Sequence, residues 1–209
     1  MKRFVVTCAL AATAVVTESG CAQSGTRPAP APRTREQADS AARAIAGRGT
    51  LSQNDIAVRL RNDELEIRFV PLDIRVTALL APDAAESLQR LVARHRPSVD
   101  SAGQLNSISE PGLALVTFFS QREDVRFDPQ LLTLSFQNRL LRPLGIVPLS
   151  PRFTSQQLGA RETAMAIYLF EELIPVWDEF TVAYAALSSN EWARRLPTLE
   201  RERARLSTR

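Results

Sequence analysis

Residues 113–119 read LALVTFF, apolar from Leu113 to Phe119 with a single threonine between. A run this short that is apolar on both faces fits a central β-strand covered on each side. Working outward, Ile56, Val58 and Leu60 alternate with polar residues, as do Leu65, Ile67 and Phe69, with Arg61-Asn62-Asp63-Glu64 between. That pattern predicts a hairpin with one buried face. Arg59, Glu64, Glu66 and Arg68 fall on its other face, which is wet or meets a partner. Downstream, Leu132, Leu134 and Phe136 alternate with Thr133 and Ser135, and Asn138-Arg139 offers a turn. Residues 140–149 contain Pro143 and Pro148, which suit an edge or irregular strand because proline cannot donate to a ladder. Residues 164–170 (AMAIYLF) and 180–186 (FTVAYAA) read as a buried antiparallel pair around the loop 171–179. Six or seven strands result, enough for a β-sandwich.

Helical signals interrupt and flank this pattern. Thr34 followed by Gln37 has capping-box form, Ala38, Ala41, Ala42 and Ile45 share a face, and Gly47 and Gly49 supply stops, so residues 34–49 read as a short helix. Asp73 can cap a short helix showing Val76, Leu79 and Leu80. Pro82 sits in a first turn with Asp83 and Glu86 behind it, and Leu88, Leu91, Val92 and His95 line one face. Arg94 and Arg96 come late and Pro97 is the expected stop, so the helical insertion spans 73–96 and residues 98–111 read as loop. Residues 190–209 return to helix, with Asn190 as cap and Trp192, Leu196, Leu199 and Leu206 on one face. Glu191 and Arg195 form an i,i+4 pair, and Pro197 is expected to kink or restart the helix.

The N-terminus carries an address. Lys2 and Arg3 precede an uncharged stretch from Phe4 to Thr17, too short to span roughly 30 Å of hydrocarbon and of secretory h-region length. Ser19-Gly20-Cys21 at its end resembles the lipobox of bacterial lipoproteins, with Glu18 where that family has an aliphatic residue. The resemblance implies cleavage after residue 20, lipidation of Cys21 and a membrane anchor; the lack of aspartate after Cys21 leans towards the outer membrane or cell surface. The alternative is ordinary cleavage after Ala22, which yields a soluble periplasmic or secreted chain. Residues 1–20 are then the signal and 21–33 a tether in which Pro28, Pro30 and Pro32 alternate with alanine, an extended spacer.

Composition excludes more than it suggests. The 209 residues hold 26 basic and 23 acidic side chains, one histidine and two cysteines. Cys8 and Cys21 both lie in the N-terminal segment, so the body has no thiol for a disulfide framework, a zinc site or nucleophilic catalysis. His95 is the only imidazole, between two arginines on a helix face, and no G-x-S-x-G, G-x-G-x-x-G or Walker A motif occurs. Glu171, Glu172, Asp178 and Glu179 flank one loop; they read as solvated carboxylates in preference to a calcium site or a glycosidase pair. The arginines interleave with acids in place of forming a stripe, which argues against nucleic-acid binding. Ile174, Val176 and Trp177 would place apolar surface at the tip of a 170–180 hairpin, a candidate partner contact, unless the loop folds back over the sandwich.

The segments Phe127-Asp128-Pro129, Arg142-Pro143, Tyr168-Leu169-Phe170 and Phe180 to Tyr184 loosely resemble immunoglobulin-like β-sandwich domains of bacterial exported proteins. The expectation is therefore a mainly β protein: an immunoglobulin-like antiparallel sandwich over residues 50–189, one inserted helical segment and a C-terminal helix. The expected function is a non-enzymatic envelope lipoprotein without cofactor or metal, acting in recognition or assembly near a membrane, with an envelope protein as partner. Two alternatives stand beside it. A carrier of an apolar small ligand predicts a cavity of several hundred Å3 between the sheets or under the 82–96 helix. An envelope hydrolase of unrecognised type predicts clustered carboxylates or His95 in a cleft.

Overall fold

The computed structural model describes residues 34–208; the signal, Cys21 and the tether lie outside the described residues. The order of elements is α1 (Arg35–Ile45), β1 (Val58–Arg61), β2 (Leu65–Pro71), α2 (Ile74–Thr77), α3 (Pro82–Leu105), β3 (Gly112–Ser120), β4 (Val125–Arg126), β5 (Leu132–Phe136), β6 (Arg139–Leu141) and β7 (Pro143–Pro148). It continues with α4 (Pro151–Ser155), β8 (Gln157–Leu158), β9 (Thr163–Phe170), β10 (Thr181–Tyr184), β11 (Leu187–Ser189) and α5 (Glu191–Ser207). The fold is β-rich, with antiparallel sheets in the order β1-β2-β3-β9-β7 and β11-β10-β5-β6, a small β4-β8 pair, and several helices.

The alternating residues do what their period predicts. Val58 and Leu60 on β1 and Leu65, Ile67 and Phe69 on β2 are buried on one face of the hairpin. β3, from the LALVTFF stretch, is the middle strand of five. The two prolines of β7 sit on the sheet edge, with a register shift between Pro143 and Gly145. Gln137 and Asn138 both take positive φ, closing the β5–β6 hairpin with the turn its twist requires.

Two regions correct the sequence reading. Residues 164–170 and 180–186 are not partners: β9 pairs with β3 and β7, while β10 pairs with β5 and β11 in the other sheet. The segment between them is a crossover and not a hairpin, which apolar patterning cannot distinguish. The prolines in helices also stop less than expected. α3 passes through Pro97 to Leu105, because Pro97 is exposed and residues beyond it, Val99 and Gly103, are buried and hold the helix against the sheet. Ser101 Oγ donates to the Pro97 carbonyl at 2.8 Å. α5 likewise runs unbroken through Pro197.

The inner faces of the two large sheets share one core. Phe118 stacks on Phe127 at 4.5 Å and meets Tyr184 edge-on at 5.7 Å, and Phe153 bridges towards Tyr168. The two tyrosines fix the entry to β5: Tyr168 Oη donates to the Pro129 carbonyl, and Tyr184 Oη accepts from the Asp128 N–H. On the outer face of the five-stranded sheet a second, smaller core joins Val99 of α3 to Val147, Ile167 and Leu169.

α5 closes the domain through a buried acid on its apolar stripe. Glu202, 6% exposed, accepts from the N–H and hydroxyl of Thr50 at 2.7 and 2.9 Å and pairs with Arg205 at 2.6 Å. The Arg205 and Thr50 donors hold its carboxyl down at about 2, well below the ordinary carboxylate range. A group whose pKa is depressed by folding stabilises at pH values above its unfolded value and loses that contribution as pH falls through the folded one. Glu202 therefore contributes stability that is complete above pH ~5 and lost between about pH 5 and pH 2. Because the partner Arg205 is one-third exposed and solvent screens the pair, the contribution is on the order of 1–2 kcal/mol. Glu202→Gln is expected to lower stability at pH 7 by that amount and to flatten the acid limb of a denaturation profile. An unchanged acid limb would refute the assignment.

Candidate functional site

A cleft of about 920 Å3 runs beside α3. Its first wall is the face of α3 that carries Leu88, Val92 and Val99, spaced so that they recur on one side of a helix. The contributing residues run from Leu88 to Gln104, about 24 Å of helix. Facing them are Leu72 and Ile74, the start of β3 at Leu113, and Leu173-Ile174 from the 171–179 crossover.

Local chemistry places each piece. Asp73 caps α2 by accepting from the Arg75 N–H at 2.8 Å, and takes the Arg75 guanidinium through two further bonds. The Asp73 hydrogen bonds raise the Arg75 pKa above its ordinary value, and Arg75 in turn donates to the Ile174 carbonyl at 3.3 Å. At the end of α3, Ser107 adopts φ +58°, Ile108 N–H donates to the Gly103 carbonyl at 2.8 Å, and Ser107 N–H to that of Gln104. This paired closure is a Schellman motif, and it turns Ile108 into the cleft. Gly112 permits the far wall: a Cβ there would lie 2.2 Å from the Glu172 carbonyl oxygen.

Leucine, valine and isoleucine side chains share the lining with Thr77, Gln89, Gln104 and Ser109, and among the described residues no aromatic side chain lines the cleft. Every charged residue around it already has a partner. Arg35 pairs with Asp39 and Glu110, Arg96 with Asp100 at 2.8 Å, and Asp73 with Arg75 at 2.6 Å. Among the described residues a charged ligand finds no unpaired counter-charge here, whereas the aliphatic part of the lining suits an extended hydrocarbon.

The residues singled out from sequence fall elsewhere. Ile174 and Val176 are buried, at 1% and 0% exposure, and Trp177 is half-buried beneath the Arg203 guanidinium, 4.7 Å from the ring centroid. The proposed contact tip is thus folded inward: Val176 N–H donates to Ile174 O, a tight turn that brings both side chains to the core, and only Ile174 reaches the cleft. Of the loop acids, Glu172 is ion-paired to Arg139. His95 is half-buried on α3 and does not line the cleft. Among the described residues no group of three or more His, Cys, Asp or Glu is placed to hold a metal ion, and no helix is long and apolar enough to cross a membrane. Reading α3 as ending at Pro97 hid half of the cleft wall. The signal that could have revealed it was the continued 99/103 spacing of small and apolar residues.

Comparison of the chain with protein-family models, with curated proteins and with solved structures finds no match.

Proposed function

We propose that this protein is a non-enzymatic binding module of the cell envelope, exported and lipid-anchored through Cys21, which holds the linear aliphatic part of a ligand beside α3. The observation that carries the reading is the cleft: long, floored by Leu, Val and Ile, and rimmed by charges that neutralise one another. It lies beside the insertion helix, one of the two places open to an apolar ligand, while the other, between the sheets, holds the phenylalanine and tyrosine cluster. Two antiparallel sheets about one core support reading the β region as an immunoglobulin-like sandwich that serves as the scaffold.

Straight-chain alcohols from octyl to tetradecyl, competing with a fluorescent naphthylamine probe on the Cys21→Ser protein, test the reading. Each methylene buried contributes about 0.8 kcal/mol, so affinity should rise roughly three- to fourfold per added carbon until the cleft is full. Val92→Trp, which narrows the cleft from its partly exposed wall, should abolish displacement without lowering Tm. Affinity that ignores chain length, or binding unaffected by Val92→Trp, would reject the proposal.

A further inference from the structure

The register of the five-stranded sheet aligns Arg59, Arg68, Thr117 and Met165 in one row across β1, β2, β3 and β9. The next row is Arg61, Glu66, Phe119 and Thr163. Alternation puts both rows on the outer face, away from the aromatic core. α3 covers the other part of this face through Val99, Ile167 and Leu169, and leaves these rows open, with Met165 37% exposed.

The two rows differ in charge. Arg61 lies opposite Glu66, a pairing of unlike charges, whereas Arg59 lies directly opposite Arg68. Like charges in directly opposed positions destabilise a sheet. Among the described residues neither forms an ion pair. Arg59 donates to the uncharged Asn54 Oδ1 at 2.9 Å. Glu191, which accepts the Arg59 backbone N–H, is ion-paired to Arg195. Arg68 makes no ion pair or side-chain hydrogen bond among the described residues, and its Nε is sealed from water without an acceptor. Burial first, and Arg59 second, pull the Arg68 pKa below its ordinary value, against an opposing pull from Glu66 in the next row.

We propose that this row docks an acidic segment of a partner protein, one carboxylate lying between Arg59 and Arg68 and a neighbouring apolar side chain over Thr117, Phe119 and Met165. An arginine fork matches a carboxylate, and the contact removes the repulsion within the row. The charge excess is confined to one row with Glu66 beside it, and Arg68 lies half sunk in the sheet. A bilayer surface is drawn to several projecting cations, so the geometry favours a discrete carboxylate over anionic lipid. This surface is separate from the cleft and stands independently of it.

The test uses the full chain and a fluorescein-labelled octapeptide of alternating Glu and Leu, read by anisotropy, against the same peptide with Gln for Glu. The Glu peptide should bind, more weakly as salt rises. Arg59→Gln and Arg68→Gln should each weaken it at least fivefold and the double variant more than tenfold, with Arg61→Gln within twofold of wild type. The Tm of Arg68→Gln should be unchanged or higher, which separates lost docking from lost folding. The proposal is overturned if the Glu peptide fails to bind, if the Gln peptide binds equally well, or if the double variant retains wild-type affinity. Binding to phosphatidylglycerol vesicles through the same two arginines, with the peptide ignored, would overturn it in favour of a membrane contact.

Discussion

Gly49→Ala is expected to destabilise the protein by at least about 3 kcal/mol. A Cβ at this position would lie 2.0 Å from the Leu79 carbonyl oxygen and 2.6 Å from that of Leu80. Both obstacles are backbone, so no side chain can swing aside. The segment would have to retreat, and with it the bonds from Leu51 N–H to Leu79 O and from Ala81 N–H to Leu51 O. Thr50, which feeds both of its donors to Glu202, moves with them. Gly47 provides the control. It takes φ +80° but has nothing within 4 Å of a prospective Cβ, so Gly47→Ala should cost only the left-handed backbone strain, about 1 kcal/mol. Urea unfolding of the two variants checks the contrast; equal midpoints would show that close approach is not what Gly49 supplies.

Trp192→Ala should cost about 3–5 kcal/mol, the range for truncating a buried aromatic. Trp192 is fully buried at the start of α5 and stacks on Phe180, centroids 4.9 Å apart and planes 26° apart. Phe180 in turn meets Phe69 edge-on, so the indole anchors the helix to a chain of rings that reaches β2. The indole Nε1 has no acceptor among the described residues. Trp192→Phe therefore sacrifices volume and no hydrogen bond, and should cost about 1–2 kcal/mol. Thermal unfolding of both variants decides the matter, and a Phe variant as unstable as the Ala variant would reveal a role for the N–H.

Much of the architecture was written in short-range signals. The Thr34 cap, the Asp73 cap, the Asn62-centred hairpin and the central position of β3 all follow from residues within a few positions of one another. Long-range choices were not legible. Nothing in AMAIYLF or FTVAYAA says which sheet each joins, because both present apolar faces that either sheet can cover. Pro97 and Pro197 carry strong local stop signals that tertiary burial of Val99 and Leu199 overrides. The sequence left two places open for an apolar cavity, between the sheets or under the 82–96 helix, and no local signal shows that the aromatic rings fill the first. Nothing in the local sequence separates Glu202 from the other acids of α5; its distant contact with Thr50 marks it as structural.

The bond between Thr50 and Glu202 joins residues 152 positions apart, near the two ends of the described chain. A polypeptide emerging from the ribosome, or threading through a translocation pore, presents its early segments first and its late ones last. Here Gly49, Thr50 and the β1 edge stay uncovered until Trp192, Glu202 and Leu206 arrive. Loop closure on this scale is paid late, and non-local topology slows the search. The contacts that lock the described domain thus form only after its last helix has been made.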